Sequence, residues 1–263
     1  MKNHGNNNFS APRLLSDPYP FEFGFTYDME ILDIDNDNDL DIIALIQNQI
    51  QIYENLGNGD FTLQSSISFS HNSENSREIE LGDLDGDGLF DIAIPLNFSG
   101  INNKAGWFRN LGNNIFSAFI PLNFTGQYNY KPYDLKIGDI DNDGDQDIHA
   151  VMGGAYEGNV YQNSLYENPG NWNNPWIGIR LIGTQTNWAA IGSKIIIETI
   201  EKEVIHRTIS SGGSFGGNPF REFIGLSNTK GISKITIIWG SGNKQSLNDL
   251  SLNRWHTIEE IKS

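Results

Sequence analysis

The residues of this chain best suited to chemistry are aspartates that recur at every second position. They form three windows of nine residues, at 33–41, 83–91 and 139–147. Carboxylates stand at positions 1, 3, 5 and 9 of each window, and position 7 can supply a backbone carbonyl. Oxygen atoms at this spacing wrap a hard cation within one loop. The windows therefore predict three metal sites.

Each window has a residue suited to a sharp turn at position 6, namely Asn38, Gly88 or Gly144. The helix-loop-helix calcium motif is excluded, because its position 12 needs a Glu and these windows have Ala or Ile there. Calcium fits better than magnesium, since the ligands are many and all come from the protein. We expect about three calcium ions, held by Asp33, Asp35, Asp37, Asp39 and Asp41, by Asp83, Asp85, Asp87, Leu89 and Asp91, and by Asp139, Asp141, Asp143, Asp145 and Asp147.

The alternative to metal binding is a set of solvated acidic turns. The three windows hold 14 Asp and neither Lys nor Arg. Carboxylates packed so closely repel one another strongly unless a cation compensates them. The density of like charge therefore favours metal binding over a solvated turn.

The windows belong to a longer repeat, because their first residues are 50 and 56 positions apart. A Gly-x-x-x-Phe motif keeps the same spacing, at residues 5–9, 57–61 and 112–116. A short apolar run rich in β-branched residues follows each window, and the length of one repeat suits about four strands. This pattern is typical of β-propeller blades.

The sequence predicts an all-β chain with a partial propeller of about three blades. A closed propeller has roughly four to eight blades. We therefore expect either a fragment of a larger propeller, whose other blades are missing, or an arc that closes by association into a homo-oligomer.

The charge divides the chain into two parts. Residues 1–170 hold 26 of the 33 acidic side chains and 7 of the 17 basic ones. Strands are predicted at 176–182, 193–200, 203–210, 221–226, 232–239 and 254–261, several of them with alternating apolar and polar residues. We predict propeller repeats with three calcium loops over residues 1–168 and an antiparallel β-sandwich-like domain over residues 169–263.

Composition excludes several functional classes. The formal net charge of −16 argues against a nucleic acid partner, since it repels phosphate backbones. The absence of Cys excludes disulfides, thiolate zinc sites and a cysteine nucleophile. No apolar run has the ~18 residues of a spanning helix, so no membrane span is predicted.

Three further signals have a functional and a structural interpretation. Trp172, Trp176 and Trp188 stand near the start of the second part, where they could stack on a glycan, although such Trp more often cap a core or fill a domain interface. His149 follows the third window and could touch a ligand, but a solvated His is the simpler interpretation. Ser214 lies in a Gly-x-Ser-x-Gly string, yet Pro219 follows closely and opposes the helix that a nucleophile elbow needs.

The phased Asp windows resemble the FG-GAP or VCBS repeats of integrin-α-type β-propellers. The second part resembles the ASPIC/UnbV domain that follows such repeats in cartilage-acidic-protein-like proteins. The residues that carry this second resemblance are Asn187, Ile191-Gly192, the loop at 210–215, the Phe-Ile-Gly-Leu at 223–226 and the Trp-Gly-Ser-Gly at 239–242.

The resemblance implies a secreted, cell-surface or periplasmic protein whose calcium-dependent propeller serves adhesion or recognition. The function expected from it is a calcium-stabilised recognition module that binds a protein or a glycan partner, with no catalytic residues. The alternative is an enzyme built on a calcium propeller scaffold, such as a polysaccharide lyase or a cyclising or alkylating enzyme of secondary metabolism. Fold alone does not decide between these two hypotheses.

Overall fold

The computed structural model describes residues 6, 8–11, 26–46, 49–57, 59–69, 78–95, 105–122, 132, 134–152, 162–170, 174–211 and 220–262. All regular elements within these ranges are β-strands, which confirms the predicted all-β class. None of the described residues forms a helix long and apolar enough to cross a membrane.

Three sheets are formed between residues 26 and 166. The first has the order β1-β2-β3-β4, the second β5-β6-β7-β8 and the third β11-β10-β9, and all their pairings are antiparallel. Their strands are β1 Thr26–Leu32, β2 Asp41–Ile46, β3 Gln49–Asn55, β4 Phe61–Ser68, β5 Glu80–Gly82, β6 Asp91–Ile94, β7 Gly106–Phe108, β8 Ile120–Pro121, β9 Asp134–Gly138, β10 Asp147–Val151 and β11 Ser164–Tyr166.

Two more sheets are formed between residues 176 and 259. One has the order β15-β12-β18 and the other β14-β13-β16-β17. Their strands are β12 Trp176–Ile182, β13 Lys194–Thr199, β14 Val204–Thr208, β15 Glu222–Gly225, β16 Ile232–Ile238, β17 Lys244–Leu247 and β18 Trp255–Glu259. A single core of buried residues, including Ile177, Ile195 and Ile237, joins these two sheets face to face.

The predicted count of about three blades is wrong, because the described residues form five sheets in a β-propeller arrangement. The prediction counted Asp windows, and only the first three sheets carry one. The fourth and fifth sheets contain no such window, so a count of Asp windows misses them.

The predicted antiparallel character of the C-terminal sheets also needs a correction. β12 pairs with β18 in a parallel direction, with Gly178 opposite Trp255 and Leu181 opposite Ile258. The chain runs from β17 of one sheet to β18 of the other sheet, so β18 reaches β12 by a crossover rather than by a hairpin.

Strand β6 shows how the three sheets that carry the Asp windows, here called the window sheets, pack against one another. Its four residues are all buried, and Ile92 and Ile94 belong to a core shared with the first sheet. Ala93 points the other way, into a core that includes Leu135 and Ile148 of the third sheet. Because side chains alternate across a strand, the second sheet lies between the other two and contributes to both cores.

Candidate metal centres

Each Asp window is a loop between two adjacent antiparallel strands, and its ninth residue opens the second of them. These ninth residues, Asp41, Asp91 and Asp147, are almost fully buried. One carboxylate oxygen accepts the backbone N–H of position 2, at 2.9–3.0 Å. The other oxygen accepts the backbone N–H of an Asn at the end of the next strand or just after it, at 2.8 Å. The position 9 carboxylate therefore closes the loop at both ends.

The Asn residues that meet these carboxylates are Asn55, Asn110 and Asn168, none of which was predicted as a site residue. Their side-chain amides donate to the position 8 carbonyl of the same window at 3.1 Å. The amides of Asn110 and Asn168 also donate to the position 2 carbonyl of the preceding window, at 3.0 and 2.8 Å. The recurring aromatic-Glu/Arg-Asn triplet that ends at each of them was the available signal.

The remaining loop geometry is shared as well. The position 5 carboxylate accepts the backbone N–H of position 7 in all three windows, at 2.8–3.2 Å. Asn38, Gly88 and Gly144 at position 6 have φ angles of 79°, 90° and 99°. Gly and Asn adopt this left-handed conformation more readily than other residues do, which agrees with the sharp turn predicted at position 6.

Carboxylates converge in each window. The sets are Asp33, Asp35 and Asp37, then Asp83, Asp85 and Asp91, then Asp139, Asp141 and Asp147, and within each set one ligand atom per residue lies within 4.8 Å of the others. The other predicted ligands, Asp39, Asp41, Asp87, Leu89, Asp143 and Asp145, lie in the same loops but outside these sets.

Every window also encloses a carboxylate oxygen that receives no hydrogen bond. These atoms are Oδ1 of Asp35, Oδ1 of Asp83 and Oδ1 of Asp145. A buried carboxylate oxygen without a donor is costly. A cation bound among the carboxylates would satisfy such atoms, so the donor set fits a hard metal ion.

Burial dominates the electrostatics of the windows. It raises the pKa of Asp83 to about 7, although the nearby Arg207 guanidinium opposes the rise. Burial likewise raises the pKa of Asp41 to about 7, that of Asp91 to about 9 and that of Asp145 to about 7. The loops therefore resist ionisation near neutral pH unless a positive charge is present.

One basic side chain reaches the second window from outside it. Arg109 follows β7, forms an ion pair with Asp85, and places Nη2 3.2 Å from a carboxylate oxygen of Asp87. The windows have no basic residue in sequence, but the fold places a guanidinium against two carboxylates of the second window. This contact was not predicted, because it depends on how β7 lies beside the loop.

The C-terminal sheets contact all three windows at position 6. Lys194 donates to the carbonyl oxygen of Asn38 at 2.6 Å. Arg207, which is buried, donates to the carbonyl oxygen of Gly88 at 2.8 Å. The indole of Trp176 lies against Gly144, where an added Cβ would overlap it. The windows are therefore an internal contact surface as well as candidate metal sites.

The other candidate residues lie apart from the windows' carboxylate sets. His149 is in β10, paired with Lys136 and Leu165. Trp176 stacks on Phe223 with 5.4 Å between ring centroids, while Trp188 is 63% exposed. Trp172 and Ser214 lie outside the described residues, as do residues 5 and 212–219 of the predicted motifs.

Two family models match separate parts of the chain. Residues 33–94 match the FG-GAP-like repeat, and residues 183–263 match ASPIC and UnbV. No curated protein matches the chain. The first match begins at the first residue of the first window and includes the second window, and the second match covers most of the two C-terminal sheets. The chain thus combines FG-GAP-like repeat sequence with an ASPIC and UnbV domain, which is the architecture inferred from the resemblance.

Proposed function

We propose that this protein is a calcium-stabilised recognition module that works outside the cytoplasm. The observation that carries the proposal is the convergence of three carboxylates in each window, together with an enclosed carboxylate oxygen that receives no hydrogen bond. The recurrence of one loop geometry three times supports a common purpose for the windows.

Each window would hold one calcium ion. We assign the ligands to the residues at positions 1, 3, 5, 7 and 9, with position 7 acting through its backbone carbonyl. These are Asp33, Asp35, Asp37, Asp39 and Asp41, then Asp83, Asp85, Asp87, Leu89 and Asp91, then Asp139, Asp141, Asp143, Asp145 and Asp147. The ion would neutralise the loop carboxylates and hold the loop in one conformation. Calcium is favoured over magnesium because all these donors are protein oxygens in a flexible loop.

The recognition role rests on the presence of FG-GAP-like repeats and an ASPIC and UnbV domain in one chain. FG-GAP-like repeat proteins are typically extracellular or surface proteins, so we propose secretion or surface exposure and a protein or glycan partner. We further propose that residues 1–168 form the calcium-bearing unit and residues 169–263 the ASPIC/UnbV unit. The exposed indole of Trp188 supports a binding surface on the second unit.

Thermal melting in EDTA and in millimolar calcium tests the metal part of the proposal. An ion that binds only the folded state at a hundredfold excess over its Kd adds about 2.7 kcal/mol of stability per site. We expect a clear rise in Tm with calcium. Equal melting temperatures in the two buffers would reject structural calcium sites.

Counting bound ions by mass spectrometry under native conditions assigns them to windows. Asp35→Asn, Asp85→Asn and Asp141→Asn should each remove one calcium ion, because each neutralises the position 3 carboxylate of one window. Asp249→Asn is the matched control, since Asp249 is exposed and far along the chain from the windows. A variant that keeps the full number of ions would exclude its window as a site.

A further inference from the structure

The outward face of the β15-β12-β18 sheet carries a groove that the metal sites do not use. Its cavity volume is about 330 Å³, and its walls include Arg180, Trp188, Phe220, Arg221, Trp255 and His256. This volume is at the lower end of the roughly 300–1,000 Å³ of small-molecule sites. The groove is therefore large enough for a small ligand or for the end of a longer one.

The sequence shapes the groove through a close approach at Gly178. A Cβ at this position would overlap the ring of Trp255, so only Gly allows that indole to lie across β12. Trp255 in turn meets Trp176 edge to face, with ring centroids 6.0 Å apart. Trp176 reaches the third Asp window, so the groove floor is continuous with a packed and ordered cluster.

The charge of the groove is opposite to that of the chain. The Arg180 guanidinium lies over the Trp188 ring at 5.7 Å, and the Arg221 guanidinium lies over the Trp255 ring at 4.6 Å. Among the described residues, no carboxylate forms an ion pair with either Arg. Two uncompensated cations in a chain of net charge −16 mark a place where an anion is favoured.

The chemistry of the walls defines the ligand further. A guanidinium stacked on an aromatic ring keeps its N–H edge available for bidentate bonding to a planar carboxylate. The exposed indole of Trp188 offers a flat surface for the C–H face of a sugar ring.

We propose that this groove binds an anionic saccharide, with Arg180 and Arg221 holding the acidic group and the exposed Trp188 packing against the sugar ring. The proposal rests on the recognition role proposed above and names the ligand class for it. A carboxylated and a sulfated sugar share this chemistry, and the experiment separates them.

Isothermal titration of the full chain with trigalacturonate tests the proposal, in buffer with low calcium so that the sugar does not sequester the ion. The parallel ligands are neutral maltotriose, a sulfated disaccharide and triglutamate. We expect trigalacturonate or the sulfated sugar to bind and maltotriose not to bind. Arg180→Gln and Arg221→Gln should each weaken binding about tenfold, since each removes a charge-assisted contact. Lys244→Gln, on β17 of the other sheet, is the control and should leave affinity unchanged.

Three results would overturn the proposal. Equal binding of maltotriose would show that the acidic group is not recognised, and equal binding of triglutamate would identify an acidic peptide site instead. Absence of binding by every ligand would reject the groove as a site. Circular dichroism of each variant confirms that it is folded. Failure of the groove would leave the calcium-dependent rise in Tm intact, whereas failure of the calcium proposal would leave Arg-dependent sugar binding intact.

Discussion

At the scale of single residues, the window carboxylates fall into two groups: those that accept backbone hydrogen bonds and those with an oxygen that receives none. The position 9 carboxylates use both oxygens to hold the loop ends by backbone N–H bonds, whereas Oδ1 of Asp35 and of Asp83 receives no hydrogen bond. Spacing in the sequence predicted all of these residues as ligands. It could not separate them, because the difference lies in which backbone groups the fold brings to each oxygen.

The Asn at the end of the third strand of each of these sheets, or just after it, offers a test of this loop closure. Asn110 is buried, and its amide spans two windows by donating to the carbonyls of Ile34 and Phe90. Asn110→Ala should lower the free energy of unfolding by about 2 kcal/mol, because buried carbonyls lose their donor. Asn55→Ala is the comparison, since the Asn55 amide donates to a carbonyl of its own window and not to a second window. Urea unfolding should show the larger loss for Asn110→Ala, and equal losses would contradict a bridging role.

The raised pKa values predict a steeper pH dependence of stability without calcium than with it. Asp41 and Asp83 have folded-state pKa values of about 7 and Asp91 of about 9, so the folded state binds more protons than the unfolded state above pH ~4. In EDTA the free energy of unfolding should therefore fall as the pH rises from about 5 to about 8. In calcium this fall should be smaller, because the ion binds the ionised window carboxylates. The fall that remains comes from carboxyls outside the windows whose pKa is also raised, such as Glu78 and Glu222.

Urea unfolding at several pH values in the two buffers checks this prediction. Glu260 does not disturb the comparison: burial raises its pKa, but hydrogen bonds from Ser241 and from three backbone N–H groups outweigh burial and lower it to about 2. Its contribution is therefore constant above pH ~5 and cancels. Parallel pH profiles with and without calcium would show that the windows do not bind the ion.

At the scale of elements, the strands that follow the windows could be predicted and their neighbours could not. Apolar runs after the first and third windows predicted β2 and β10, and the alternating pattern at 176–182 predicted β12 with the observed bounds. β17 was missed, because its Lys-Gln-Ser-Leu sequence carries little apolar signal. The parallel pairing of β12 with β18 was also missed, since strand direction depends on the crossover rather than on local pattern.

Both faces of β6 are buried, so shortening one of its side chains should lower the stability of the protein strongly. Ile92 is fully buried in the core that the first and second sheets share. Ile92→Ala should cost about 2–5 kcal/mol, through lost burial and the cavity that remains. Ile31→Ala, at a position that is 52% exposed on β1, is the matched control and should change stability by less than about 0.5 kcal/mol. Chemical unfolding of both variants measures the difference, and similar losses would contradict the packing of these sheets.

At the scale of the whole molecule, the acidic windows and the more basic C-terminal sheets meet directly. Asp83 accepts the backbone N–H of Gly225 at 2.9 Å, and Asn36 accepts that of His206 at 2.7 Å. Lys194 and Arg207 add positive charge beside the first two windows. The division of charge along the sequence therefore reflects an attraction between two parts of one molecule, which charge counting alone did not predict.

The contact between the third window and the C-terminal sheets can be tested at Gly144. A methyl group there would overlap the indole of Trp176, whereas a methyl group at Gly242 meets no atom within 4 Å. The two glycines have similar φ angles, 99° and 92°, so Gly144→Ala and Gly242→Ala impose the same kind of backbone strain. Only Gly144→Ala also displaces Trp176. Limited proteolysis should therefore cut the Gly144→Ala chain faster between residues 152 and 176, while Gly242→Ala is cut at the wild-type rate. If both variants resist the protease like the wild type, the Trp176 contact does not hold the C-terminal sheets on the windows.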